Sequence, residues 1–457
     1  MDKQPLLHPL AALRAQMGLT AVQYLARVAE VHEALGFGRM AERREKVCRW
    51  ETGKAAPEGP AQAAMAVLHG ISQHAVADLG WPHWLLFAFP DDQPVLYSPW
   101  TPAGTVTSTA AAARGGSMDR RGFLIASGAT LSGIAANWSN ALDEPSSSAA
   151  GENIPSRAGR LSPALLDRLE QRLDDLRRLD DVLGGGKLRT SAVAEFKLLD
   201  GLADHAVHRD ELGQRLLSLL AEAARLCGWQ HFDAGLHARA QRYYVTSLRA
   251  SASAGDAQVG ANTLAFMAIQ TYSEGNPQDA VNLVRTAQEQ AAGCTTPRVR
   301  AMLHARAARA LSKTGDPTGC ARELDAARDA YAKGPRDDDP PWSYWLDEGE
   351  IEMLAGSSAL DLGDPRRALH YFAAARDAQY STAGFVRDHS LYLTRMAHAH
   401  LDLGDLEAAC ATASQALDQS GGVDSSRPST SLRDLRTRLA PHRSAQPVRA
   451  FLSVTPG

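Results

Sequence analysis

The chain has 457 residues, too many for one simple core and enough for two or three domains. It carries 48 Lys and Arg against 52 Asp and Glu, a formal charge of −4, so no global basic field exists and any nucleic-acid contact must come from a local patch. Five cysteines, odd in number, far apart and never in a C-x-x-C pair, argue against a disulfide framework or a zinc site, and no run of about 18 apolar residues spans a bilayer. A reducing cytoplasm and no membrane partner are the expectation.

The first element reads as a helix over Leu10-Ala11-Ala12-Leu13-Arg14. Gly18-Leu19-Thr20 then makes a turn in which Thr20 caps a second helix that begins to bury Leu25. A third helix is expected from Arg39 to Lys54, with Met40, Val47 and Trp50 on one face and Arg39, Arg43, Arg44, Lys46 and Arg49 largely on the other, ended by Gly53. Its six basic residues, Lys54 included, stand against three acidic ones, Glu42, Glu45 and Glu51. Such a helix suits a major groove, where arginine reads guanine edges and its neighbours hold phosphates.

Val47-Cys48-Arg49-Trp50-Glu51-Thr52-Gly53-Lys54, followed by Pro57, resembles the recognition-helix end of the Xre/Cro/cI helix-turn-helix family, with Cys48 where Ser is commoner. The resemblance implies that Trp50 packs a small domain core with Leu13, Leu25 and Val47, that Glu51 helps hold the fold, and that Arg43, Arg44 and Lys46 read bases. The alternative is an ordinary helix stop, glycine and then proline.

Residues 1–88 are therefore expected to form the DNA-binding domain and 89–160 a linker, marked by the small and turn-forming residues of Phe89 to Ser117 and Asp143 to Arg160. Between those stretches a short helix is expected over 118–142. Its start, Met118-Asp119-Arg120-Arg121-Gly122-Phe123-Leu124, resembles a twin-arginine export signal. More than a hundred residues precede it, so the expectation is a linker helix that packs Phe123, Leu124, Ile125 and Leu131 on the following domain.

From Ser162-Pro163 a helix is expected with Leu165, Leu169, Leu173, Leu176, Leu179 and Leu183 as its apolar stripe, stopped by Gly184-Gly185-Gly186. Gly235, Gly275, Gly315, Gly363 and Gly404 then recur at intervals of 40, 40, 48 and 41, four of them followed by Asn or Asp. Seven residues before each sits Gly228, Ala268, Ala308, Gly356 or Ala397. Five after come Ala240, Ala280, Cys320, Ala368 and Ala409, and twelve after come Ser247, Ala287, Ala327, Ala375 and Ala416. Small residues at three fixed offsets let two antiparallel helices approach closely across each glycine turn. These offsets resemble the tetratricopeptide repeat over Leu216 to Gln419, at a period near 40 instead of about 34. A plain glycine-capped helical bundle is the alternative.

The expected fold class is all-α: an N-terminal helix-turn-helix domain and a tetratricopeptide-like α-solenoid over 161–441, with 442–457 a C-terminal tail. Trp342, Tyr344 and Trp345, inside the long 48-residue interval, are the candidate groove or interface residues. His205 with His208 and His398 with His400 lack converging carboxylates or cysteines and read as solvated helix faces, and no phosphate loop, dinucleotide fingerprint or nucleophile elbow occurs. No catalytic residue, metal or cofactor is expected. The order of parts, with Trp81-Pro82-His83-Trp84, Leu179-Asp180-Asp181 and Ala240-Gln241-Arg242-Tyr243-Tyr244, resembles actinobacterial regulators that include negative regulators of sporulation and antibiotic production. That resemblance implies double-stranded DNA as partner, a homodimer, and a peptide or protein ligand for the repeats. A tetratricopeptide adaptor with a vestigial helix-turn-helix is the other reading.

Overall fold

A computed structural model describes residues 8–52, 54–89, 92–114, 128–143, 161–203, 211–378, 384–421 and 424–454. Every regular element among them is helical, in two compact units, residues 1–130 and 131–457. Among the described residues no helix is long and apolar enough to cross a membrane.

In the first unit α1 (Pro9–Gln16) and α2 (Ala21–Ala34) are joined by a turn in which Gly18 takes a φ of 67°. Thr20 accepts the Gln23 N–H while the Gln23 side chain accepts the Thr20 N–H, so two orphan donors at the start of α2 are satisfied locally. A nine-residue connector follows, in which Gly36 and Gly38 both take positive φ, and then α3 (Arg44–Glu51). The third helix is thus shorter than the Arg39 to Lys54 expected from the sequence. Arg39 lies in the connector, Arg43 is the extended N-cap residue, and Lys54 follows the C-cap Thr52. Gly53 lies outside the described residues.

Helices α4 (Gly59–Leu68) and α5 (Gln73–Leu79) and a 3-10 stretch over His83–Ala88 complete the small core. Leu13, Leu25, Val47 and Trp50 meet there with Leu10, Tyr24, Met65 and Trp84 in one buried cluster that also takes in Phe89. Much of the expected linker is helical: α6 (Gln93–Tyr97) and α7 (Pro102–Arg114) pack on each other, and Tyr97 stacks on Phe87 at 4.4 Å.

The second unit begins within α8 (Ala129–Asp143), which covers the described part of the helix expected over 118–142. Phe123, Leu124, Ile125 and both twin arginines lie outside the described residues, whereas Leu131, Ile134 and Trp138 are buried. Next come α9 (Pro163–Leu183) and α10 (Gly185–Ala203), and then five helix hairpins. These are α11 (Glu211–Asp233) with α12 (His237–Ala254), α13 (Ala257–Glu274) with α14 (Pro277–Ala291), α15 (Pro297–Thr314) with α16 (Pro317–Tyr331), α17 (Glu348–Asp361) with α18 (Pro365–Asp377), and α19 (Val386–Asp402) with α20 (Leu406–Ser420). Each hairpin turns at one of the five repeating glycines. Asn276, Asp316, Asp364 and Asp405 cap the second helix by accepting the Gln278, Gly319, Arg367 and Ala408 N–H groups, which is why Asn or Asp follows the glycine. Leu236, which follows Gly235, makes no side-chain cap.

All fifteen small residues at the three offsets are buried. A Cβ on Gly228 would lie 2.5 Å from the Tyr244 ring, and one on Gly356 2.6 Å from Phe372; each aromatic stands nine residues after its turn glycine. The first helices α11, α13, α15, α17 and α19 pack in sequence on one another and form an inner layer.

After the last hairpin, α21 (Ser426–Leu439) and α22 (Gln446–Val454) follow, so 442–457 is not a plain tail. Val448 and Phe451 of α22 are buried with Leu435, Leu439, Cys410 and Ala413, covering the apolar flank that the last hairpin would leave open.

Candidate functional site

Two regions concentrate charge, one in each unit. In the first, Val47 and Trp50 fix the inner face of α3 in the core, and Glu51 locks its end: Arg14 donates Nε–H to Glu51 Oε1 at 2.6 Å and an Nη2 proton to Oε2 at 3.2 Å. The outer side carries Arg43, Arg44, Arg49 and Lys54, all exposed, and Lys46, half-buried. None of these five pairs with a carboxylate among the described residues, whereas Arg39 lies 3.8 Å from Glu33. With Glu51 neutralised by Arg14, the exposed Glu42 and Glu45 are the acids left in the Arg39 to Lys54 stretch. The result is a rigidly held short helix with a free cationic surface around its N-terminus.

The second region is the inner face of the hairpin array, and α9 lies against it. The sequence stripe holds for Leu169 and Leu173, but the second half of α9 turns a different line inward: Arg177, Asp180 and Asp181 are buried, while Leu179 is 48% exposed. Specific partners draw these charges in. Arg177 meets Glu222 at 3.0 Å, and Glu222 also takes Arg225 at 2.7 Å. Asp180 accepts the Trp229 indole N–H at 2.9 Å and a guanidinium N–H of Arg387; Asp181 accepts from Arg387 at 3.2 Å and from the Tyr344 hydroxyl.

Burial pushes Asp181 up to about 7, against the pull of Arg387. Burial also opposes ionisation of Asp388, but Arg387 and Arg427 outweigh it and hold that carboxyl below the usual range. Glu350, buried and beside Asp388, is pushed up to about 8 although the Tyr392 hydroxyl donates to it at 2.6 Å.

These groups surround a cavity with a void of about 840 Å³, open mouth included, lined by α9, the five inner helices, the start of α21 and the loop before α17. Trp342, Tyr344 and Trp345 all stand on its wall; Trp342 is buried and the other two half-buried. Arg178 covers the Tyr344 ring at 4.5 Å and Arg306 the Trp345 ring at 4.8 Å. The groove expected for a peptide or protein ligand is therefore occupied along one side by α9.

Sequence reasoning missed Arg225, Arg306, Arg387 and Arg395. The available signal was charge at helix positions where the hairpin pattern demands apolar residues. Of the histidines set aside earlier, His398 is not solvated: it is buried and takes an N–H from Arg438 at 2.9 Å. His205 and His208 lie outside the described residues, and no cluster that could hold a metal occurs among the described ones. Compared with known proteins, the chain matches no family model and no curated protein.

Proposed function

We propose that the protein is a sequence-specific DNA-binding transcription regulator. In this reading the first unit is a helix-turn-helix domain of the Xre/Cro/cI kind and the second a tetratricopeptide-like array that mediates dimerisation and takes a signal. One observation carries it: five basic side chains lie on and beside a short helix, without acidic partners among the described residues, while Val47, Trp50 and Glu51 of the same helix are committed to holding it in place. Free cations cost little in water and contribute nothing to this fold, so their natural partner is phosphate and base edges. Arg43 and Arg44, at the N-terminal end of α3, occupy the part of a recognition helix that reaches bases; Lys46, Arg49 and Lys54 suit the backbone. The nine-residue connector is longer than the three- or four-residue turn of compact helix-turn-helix motifs, and its two positive-φ glycines let it reverse direction.

A small domain of this kind buries little surface on one half-site, which favours a homodimer reading two half-sites. The adaptor reading draws less support, because α9 lies on the inner face against α11 and α19, where a partner segment would run.

The test is binding of the full chain to duplex DNA from its own upstream region across a salt series. Arg43→Ala and Arg44→Ala should each lose about 1 to 3 kcal/mol where they read bases, and Lys54→Ala should flatten the salt dependence by about one ion. Affinity untouched by all three changes and insensitive to salt would overturn the assignment. Sedimentation of the full chain should show a dimer.

A further inference from the structure

The cavity of the second unit holds more buried positive charge than its walls neutralise. Glu222 engages Arg177 and Arg225, Asp361 engages Arg309, Asp180, Asp181 and Asp388 hold Arg387, and Asp388 also takes Arg427. Two guanidinium groups remain. Arg306, on α15, is only 9% exposed, its Nε has no acceptor, and no carboxylate lies within ion-pair distance among the described residues; it covers the Trp345 ring and acts at longer range on Asp388 and Glu350. Arg395, on α19, is half-buried and has no carboxylate within ion-pair distance among the described residues; burial and Arg309 lower it to about 10, against the pull of Asp361. Both side chains line the same cavity, as does Tyr392. The nearby Glu350 carries its proton up to about pH 8 and does not balance them at neutrality.

An uncompensated buried cation is costly, and removing charge from water is repaid only where an opposite charge arrives. We propose that this cavity binds a small organic anion, through a phosphate or carboxylate group held between Arg306 and Arg395. The cavity leaves about 70 Å³ for the centres of water-sized spheres, room for a small anionic group, and α9 lies along α11 and α19 where an extended peptide would run. The aromatic faces of Trp345, Tyr272 and Phe266 are already covered by Arg306, Arg309 and Arg225, which pre-orients those guanidiniums and leaves the anionic group as the main recognition element. As an effector pocket the site rests on the regulatory reading above; as a binding site it stands on the cavity alone, and its test uses no DNA.

The experiment titrates the full chain with pyrophosphate and, separately, with citrate at constant ionic strength set by sodium chloride, following tryptophan emission. Trp229, Trp342 and Trp345 line the cavity, and an anion that draws Arg306 off Trp345 must change that signal. The expected result is saturation by at least one probe, weakened tenfold or more in Arg306→Met and in Arg395→Met, and unchanged in Arg336→Met, whose side chain is exposed and paired with Asp338. Saturation by pyrophosphate alone assigns a phosphate ligand and by citrate alone a carboxylate one. Circular dichroism melting checks each variant; Arg306→Lys, which keeps the charge but not the fork, replaces Arg306→Met if that variant fails to fold. No saturation by either probe at millimolar concentration, or equal affinity in the wild type and both cavity variants, overturns the proposal.

Discussion

The two units use arginine in opposite ways. Around α3 the guanidiniums are exposed and unpaired, and the helix is anchored by apolar residues and one bidentate ion pair to α1. In the hairpin array most of the buried ones are held by carboxylates from distant helices, Arg387 by Asp180, Asp181 and Asp388, Arg309 by Asp361. A surface cation is nearly neutral for folding and is available to a partner; a buried one is bound into the interior, and its loss leaves several carboxylates stranded. Position, not residue type, decides which role an arginine plays.

The sharpest way to break this comparison is Arg387→Met. Three buried or half-buried carboxylates lose their common partner, and urea unfolding should show a loss of about 3 to 5 kcal/mol; a loss under about 1 would mean that the interior network contributes little. The next effect is a pH slope. Glu350 ionises near 4.5 in the unfolded chain and near 8 in the folded one, so the folded state keeps a proton that the unfolded state has released. Its contribution is therefore full below about pH 4.5 and is lost as pH rises towards 8, at up to about 1.4 kcal/mol per unit. Glu350→Gln should remove that part of the slope, measured by unfolding at several pH values. Thr20→Ala, which deletes one half of the box that starts α2, should cost the first unit about 1 kcal/mol. Smallest of all, Arg43→Ala and Arg44→Ala should leave thermal unfolding within about 0.5 kcal/mol of the parent while changing DNA affinity; a large stability effect would place these side chains in the fold instead.

What the sequence makes legible follows the same division. Capping is local chemistry, so Thr20 before α2, Ser162 before α9 and the Asn or Asp after four hairpin glycines mark helix starts correctly. Small residues at fixed offsets reveal the close-packed hairpins because backbone approach depends on side-chain size alone. The length of α3 was overestimated because its arginines suit a helix, while the glycines at 36 and 38 hold the preceding chain out of one.

The stripe on α9 misleads for a different reason. Leucine periodicity assumes an apolar interior, yet Leu179 faces out so that Asp180 can meet an arginine 207 residues further along. Nothing within a local window contains that partner. The aromatic trio of the long interval was visible as unusual; that it shares a cavity wall with arginines from α15 and α19 follows only from the winding of the array.

That winding also joins its two ends. The turn between α9 and α10 and the residue before Ser425 exchange backbone hydrogen bonds, Gly186 N–H to Asp424 O and Asp424 N–H to Leu183 O, both at 3.0 Å, and Asp233 clamps both sides by accepting from Gly185 N–H and Ser425 Oγ–H. An open repeat array frays from its termini, unit by unit, because each repeat depends only on its neighbours. Here the first and last segments stabilise each other, so the array lacks a free end from which unfolding starts. Hydrogen exchange in α9 and α21 should accordingly follow the global opening of the second unit, as one cooperative block, in place of the gradient from edge to centre that open solenoids display.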